Sequence, residues 1–164
     1  KPGIFLRPAS TKFLLLSNAS SDYIVSKCNL HRIPYEIIDQ FFVPHDQMPL
    51  YLARADFALS PIMQVPSKKF CSPIKNSEYF AMGLPILISD GISIDSDIIK
   101  KKSFGYVMPE WNSEYILKAI MYFDSYLNLS NKDKIRESIR NLAIRERSFL
   151  LARKAYSKYY KIEP

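Results

Sequence analysis

Lys75 stands in the first turn of a helix that the surrounding sequence spells out, and Glu78 follows it by three residues. In "CSPIKNSEYFAMGLPILISDG", residues 71–91, Ser72 has the side chain of an N-cap. Pro73 suits the first helical position, where a missing N–H costs nothing and φ is already helical. Gly83 falls where a left-handed residue ends a helix and Pro85 follows as a stop, so the pattern predicts a helix from about Pro73 to Met82. A cation at such a start is disfavoured by roughly 0.3–1 kcal/mol, because the helix dipole is positive there and the first-turn amides point outward. With Lys68 and Lys69 in the loop that feeds the helix, an anion such as a phosphate would satisfy lysines and amides together. Glu78, one turn further on, is placed to accept hydrogen bonds from two vicinal hydroxyls, as a carboxylate does from a ribose. The same spacing also allows a surface ion pair between Lys75 and Glu78, worth only about a few tenths of a kcal/mol.

The elements that must position these residues are legible as short apolar runs. "KFLLLS" at 12–17, "EIIDQFFV" at 36–43, "DFALSPI" at 56–62, "PILIS" at 85–89 and "FGYVM" at 104–108 predict buried parallel strands. Between them, "SDYIVSKCNLHRI", "HDQMPLYLARA", "SPIKNSEYFAM" and "SIDSDIIKKK" each have room for one helix. Strand alternating with helix predicts an α/β fold, a Rossmann-like doubly wound parallel sheet with helices on both faces. In such a sheet the start of the Lys75 helix faces the carboxyl ends of the strands, where open α/β sheets bind ligands. After the last strand, Ile116, Ile120, Phe123 and Leu127 share a helical face, with Asn112 as cap and Glu114 in the first turn. Ile135, Ile139 and Leu142 mark a further helix, and Ser148 caps a last one from about Phe149. Residues 1–164 read as a single domain, with 109–164 as its terminal helices. Only a few residues, among them Pro2, Gly3 and Pro8, precede "KFLLLS", so the first strand and helix of a complete doubly wound domain are expected upstream or absent. The chain begins at Lys1 and reads as a fragment of something longer.

The ordered set Pro73, Lys75, Glu78, Tyr79, Ala81, Gly83 and Pro85 resembles the donor-binding segment of GT-B-fold retaining glycosyltransferases, in particular the bacterial surface-polysaccharide type within glycosyl transferases group 1 (family 4-like). The similarity extends outward through "MPLYLARADFALSPI" and "DGISIDSDIIKKKSFGYVM", covering roughly residues 12–108. The resemblance implies the nucleotide-sugar-binding, C-terminal half of a two-domain enzyme. Such an enzyme moves a sugar from a UDP- or GDP-sugar to a polysaccharide or lipid-linked acceptor, and this half alone is inactive. Carried over by position, Glu78 holds the ribose hydroxyls, while Lys75 and the amides near Ser72, Pro73 and Ile74 hold the diphosphate. Asn18 to Ser20 and Val43 to Pro44 flank the nucleotide, the latter near the base through backbone. Many relatives carry a second glutamate eight residues before the ribose glutamate, contacting the sugar; this chain has Phe70 there. Charge growing on the leaving diphosphate is met by fixed amides and Lys75, so neither metal nor cofactor is expected. No residue is assigned as catalytic. A nucleotide-sugar 2-epimerase of the same fold and a non-catalytic Rossmann-like binding module are the competing readings.

Composition narrows the remaining classes. With 48% hydrophobic and 24% charged residues, the chain has the make-up of a folded soluble protein and no apolar run of spanning length. Cys28 and Cys71 are far apart and have no second sulfur ligand nearby, and His31 and His45 lack a metal spacing, which fits reduced thiols in the cytoplasm. The 23 Lys and Arg exceed the 16 Asp and Glu to give a formal net charge of +7. Residues 1–100 hold 10 basic and 9 acidic side chains and residues 101–164 hold 13 and 7, so the excess lies in the C-terminal part. No nucleic-acid motif accompanies it. The last helix and its approach mix Arg145, Arg147, Arg153, Lys154, Lys158 and Lys161 with Phe149, Tyr156, Tyr159 and Tyr160. Such a helix rests on an anionic membrane, here the inner face, or more plainly packs its aromatic side on protein and turns its basic side to water.

Overall fold

A computed structural model describes residues 11–160. Pro2, Gly3 and Pro8 at the start and Lys161 at the end lie outside the described residues. The chain is α/β and Rossmann-like, with parallel strands in two sheets flanked by helices. It divides into two compact units, residues 1–51 and 52–164.

The first unit is a βαβ arrangement. Strand β1 (Phe13–Leu16) pairs in parallel with β2 (Ile38–Phe41), Phe13 opposite Ile38 and Leu16 opposite Phe41. Helix α1 (Ser21–His31) makes the crossover. It starts at Ser20, whose hydroxyl accepts the Tyr23 amide at 3.3 Å, with Asp22 in the first turn where the helix dipole favours a carboxylate. It stops two residues earlier than "SDYIVSKCNLHRI" suggests, because Arg32 adopts a left-handed conformation and its amide turns back to the last carbonyls. Pro34 then starts a single 3-10 turn, Tyr35–Ile37, that leads into β2. The strands are half-buried rather than fully buried, with Phe13 exposed, and Cys28 is the buried residue of α1, a free thiol. A 3-10 turn, His45–Gln47, and helix α2 (Met48–Leu52) follow.

The second unit carries strands β3 (Ala58–Ser60), β4 (Ile86–Ser89) and β5 (Gly105–Met108), all parallel in the order β3-β4-β5. Helix α3 (Ile74–Ala81) connects the first two and α4 (Asp95–Lys102) the last two. Three helices complete the chain: α5 (Ser113–Leu127), α6 (Lys132–Arg147) and α7 (Phe149–Tyr156). The central strand is also the centre of the core: Ile86 and Ile88 are 0% exposed, as are Phe80 of α3, Ile99 of α4 and Ile139 of α6. Each such side chain contributes roughly 1.5–3 kcal/mol by leaving water. Gly105 lets β5 approach β4, since a Cβ there would lie 2.0 Å from the Ile86 carbonyl oxygen.

Asn112 caps α5 as its sequence indicates, accepting the Tyr115 amide at 3.0 Å. The buried face is only partly the expected one: Phe123 is buried and Ile120 half-buried as the pattern predicts, but the two ends of the stripe are not. Ala119, Phe123 and Tyr126 are buried, whereas Ile116 is 42% and Leu127 37% exposed. Aromatic contacts decide the rotation: Phe123 stacks on Phe57 with centroids 4.0 Å apart, and Tyr122 meets Tyr106 of β5 at 5.6 Å. Ile139 and Leu142 of α6 are buried as the pattern predicts, and Ser148 caps α7 through the Leu150 amide at 3.2 Å.

Candidate functional site

The chain leaves the carboxyl end of β3 at Ser60 and reaches the start of α3 through residues 61–73, which include a 3-10 turn at Pro66–Phe70. This connection is tied across the carboxyl edge of the sheet. The Gln64 amide Nε2 donates to the Asp90 carbonyl at 3.1 Å and to the Pro109 carbonyl at 2.8 Å, one beyond β4 and one beyond β5. Trp111 Nε1 donates to Ser89 Oγ at 2.8 Å, closing the same edge from the other side.

Helix α3 begins one residue later than the sequence predicts. Pro73, not Ser72, is the N-cap residue: its ψ of 117° is still extended, and it has no side chain to cap with. Ser72 is therefore displaced one position outward and the capping role assigned to it is corrected. Without a side-chain cap, the first turn keeps backbone donors facing the carboxyl edge. Lys75, Lys68 and Lys69 are exposed around this start, as are Ile74 and Phe70. Among the described residues Lys75 enters no ion pair, so the surface bridge to Glu78 is not formed. Glu78 is half-buried one turn on. Burial, and secondarily the neighbouring Glu78 charge, pushes the Tyr79 hydroxyl above its ordinary pKa and keeps it neutral. The end of α3 follows the expected pattern: Gly83 has φ of 68°, its amide bonds to the Phe80 carbonyl at 2.9 Å, and the Leu84 amide bonds to that of Tyr79 at 2.9 Å.

Sequence reading missed what anchors the first turn. Asn76, between Lys75 and Glu78 in the chain, is fully buried and its Nδ2 donates to Asp95 Oδ2 of α4 at 2.9 Å. Asp95, 1% exposed, receives Arg147 of α6 on its other oxygen at 2.5 Å. Three helices thus share one buried polar cluster, while Asn76 Oδ1 is left without a hydrogen bond. Nothing in the sequence marks it. Asp95 looks like an ordinary first-turn acid and Arg147 like part of a solvated basic tail.

In the first unit, Asn18 lies just beyond the carboxyl end of β1, and Val43 and Pro44 lie beyond that of β2. Asn18 lines an open depression of 450 Å³ with Ser17, Ala19, Ser20, Gln40 and Phe42. Val43 and Pro44 do not line it. Gln40 Nε2 donates to the Ala19 carbonyl at 2.6 Å, and its buried Oε1 has no partner. His31 and His45 are exposed, and among the described residues no group of three or more His, Cys, Asp or Glu is arranged to hold a metal. No helix among the described residues is long and apolar enough to cross a membrane. Comparison with protein-family models, with curated proteins and with solved structures gave no match.

Proposed function

We propose that this chain binds the activated-sugar donor of a retaining glycosyltransferase, a UDP- or GDP-sugar, and works with a second domain that brings a polysaccharide or lipid-linked acceptor. One observation carries the reading. Asn18, Val43 and Pro44 in the first unit, and the start of α3 with Lys75 in the second, lie beyond the carboxyl ends of their own unit's parallel strands, where α/β sheets hold ligands. In the second unit the pattern from Pro73 to Pro85 opens a helix whose uncapped start carries Lys75 with no ion-pair partner among the described residues. A diphosphate fits that start electrostatically, through amides near Ile74 and through Lys75, and Glu78 one turn on takes the ribose hydroxyls. As the sugar departs, negative charge grows on the diphosphate, and the same fixed donors stabilise it with no reorganisation.

Calorimetric titration with UDP, GDP and ADP tests the reading. One of the uridine or guanosine diphosphates is expected to bind, and Glu78→Ala is expected to weaken it by more than ~1 kcal/mol, the scale of a hydrogen bond to a charged group. Lack of binding by all three at millimolar concentration, or an affinity untouched by Glu78→Ala, would remove the basis for the assignment.

A further inference from the structure

Helix α7 and the turn after it present a concentration of apolar surface that the core does not use. Phe149 is 80%, Leu150 69%, Tyr156 59%, Tyr159 84% and Tyr160 63% exposed, so this aromatic side is not packed on the described residues. Residues 149, 152, 153, 156 and 160 follow helical spacing and line a groove of 400 Å³ between the rings of Phe149, Tyr156 and Tyr160. Tyr156 and Tyr160 stand with centroids 6.2 Å apart.

Along the chain, the charge of this segment has one sign. Residues 147–160 contain no Asp or Glu. Arg147 is consumed by Asp95 inside the fold, which pins the base of α7, and Arg145 pairs with Glu146. Arg153, Lys154 and Lys158 remain, exposed and without an ion pair among the described residues. Aromatic side chains with polar tips and long cationic side chains, side by side on one short helix, match a bilayer interface, where rings sit at headgroup level and cations meet lipid phosphates.

We propose that α7 and the following turn dock this protein on an anionic phospholipid surface. The rings of Phe149, Tyr156 and Tyr160 enter the headgroup region, and Arg153, Lys154 and Lys158 pair with lipid phosphates. Donor binding plays no part in this contact. The surface is interfacial and spans nothing.

The test is co-sedimentation of the full chain with vesicles of phosphatidylcholine alone and of phosphatidylcholine mixed with phosphatidylglycerol. Binding is expected to the mixed vesicles, weakening as salt rises past the range where a Debye length exceeds about 10 Å. Replacing Arg153, Lys154 and Lys158 by glutamine should weaken it about a hundredfold, from roughly fivefold for each cation. The exchange Arg153→Lys, Lys154→Arg and Lys158→Arg should preserve binding. Tyr156→Trp should give an emission that shifts to the blue on the mixed vesicles. Equal binding to both vesicle types, no binding to either, or an unshifted Tyr156→Trp emission overturns the proposal. A dimer that Phe149→Ser dissociates, with no vesicle binding, overturns it in favour of a second copy of this chain.

Discussion

At the scale of single residues, the buried cluster of Asn76, Asp95 and Arg147 decides how firmly the Lys75 turn is held. A buried ion pair stabilises little compared with apolar residues of the same volume, but removing one partner leaves the other charge stranded. Asp95→Ala would strand the Arg147 guanidinium, which is only 16% exposed, and take from Asn76 its hydrogen-bonded acceptor. A loss of about 3–5 kcal/mol is expected, read as a lower midpoint in urea unfolding. Asp95→Asn keeps the volume and one acceptor and should cost less. An unchanged midpoint for both variants would mean that the cluster is not formed in solution. Lys75 belongs to the same turn but is exposed, so Lys75→Ala should leave the unfolding free energy from urea titration within about 0.5 kcal/mol of the parent while weakening nucleotide diphosphate binding.

At the scale of elements, α3 is the clearest case of sequence dictating a boundary at one end and misleading at the other. Its end is legible because only glycine combines a left-handed conformation with tolerance of a close neighbour. Gly83 has φ of 68°, and a Cβ there would lie 2.6 Å from the Arg136 carbonyl oxygen of α6. Gly83→Ala should therefore destabilise by about 2 kcal/mol or more, the left-handed strain of about 1–2 kcal/mol plus the displacement of α6. A thermal midpoint equal to the parent's would show that α6 does not pack there. The start of α3 was misplaced because Ser-Pro fits two frames, and only the extended ψ of Pro73 selects the later one. The strands were legible for a simple reason: apolar runs of about five to eight residues between turn signals have few other destinations. The face of α5 was not, because a periodic stripe fixes a face only to within about a residue. The Phe57–Phe123 stack, between partners far apart in sequence, settles it. Around the start of α3 the exposed, first-turn place of Lys75 was readable, while Gln64 and Trp111, which tie the carboxyl edge together, were not. Their partners are two backbone carbonyls and a serine hydroxyl, which leave no pattern in a sequence.

At the scale of the whole molecule, the described tyrosines set how stability responds to alkali. Tyr79, Tyr122 and Tyr126 all have their hydroxyls pushed above the ordinary value of 10.0, in each case first by burial. The Glu78 charge adds to the effect at Tyr79, a backbone hydrogen bond at Gly105 works against it at Tyr122, and the Arg136 guanidinium works against it at Tyr126. A raised folded pKa means that above about pH 10 the unfolded chain releases its phenolic protons while the folded chain still holds them. The unfolded state then binds fewer protons, and stability falls as pH rises. The contribution is complete below about pH 10 and is lost as pH climbs through the folded pKa values. The thermal midpoint should accordingly be flat with respect to these groups from about pH 7 to about pH 9 and decline above about pH 10. Tyr79→Phe should shallow that decline, and Glu78→Ala should shallow it by less, because burial is the larger cause at Tyr79. Calorimetric scans across that range for the parent and both variants check the ordering. A parent curve without an alkaline limb, or one that Tyr79→Phe leaves equally steep, would show that the Tyr79 hydroxyl stays in water and that the first turns of α3 are more open than the structure describes.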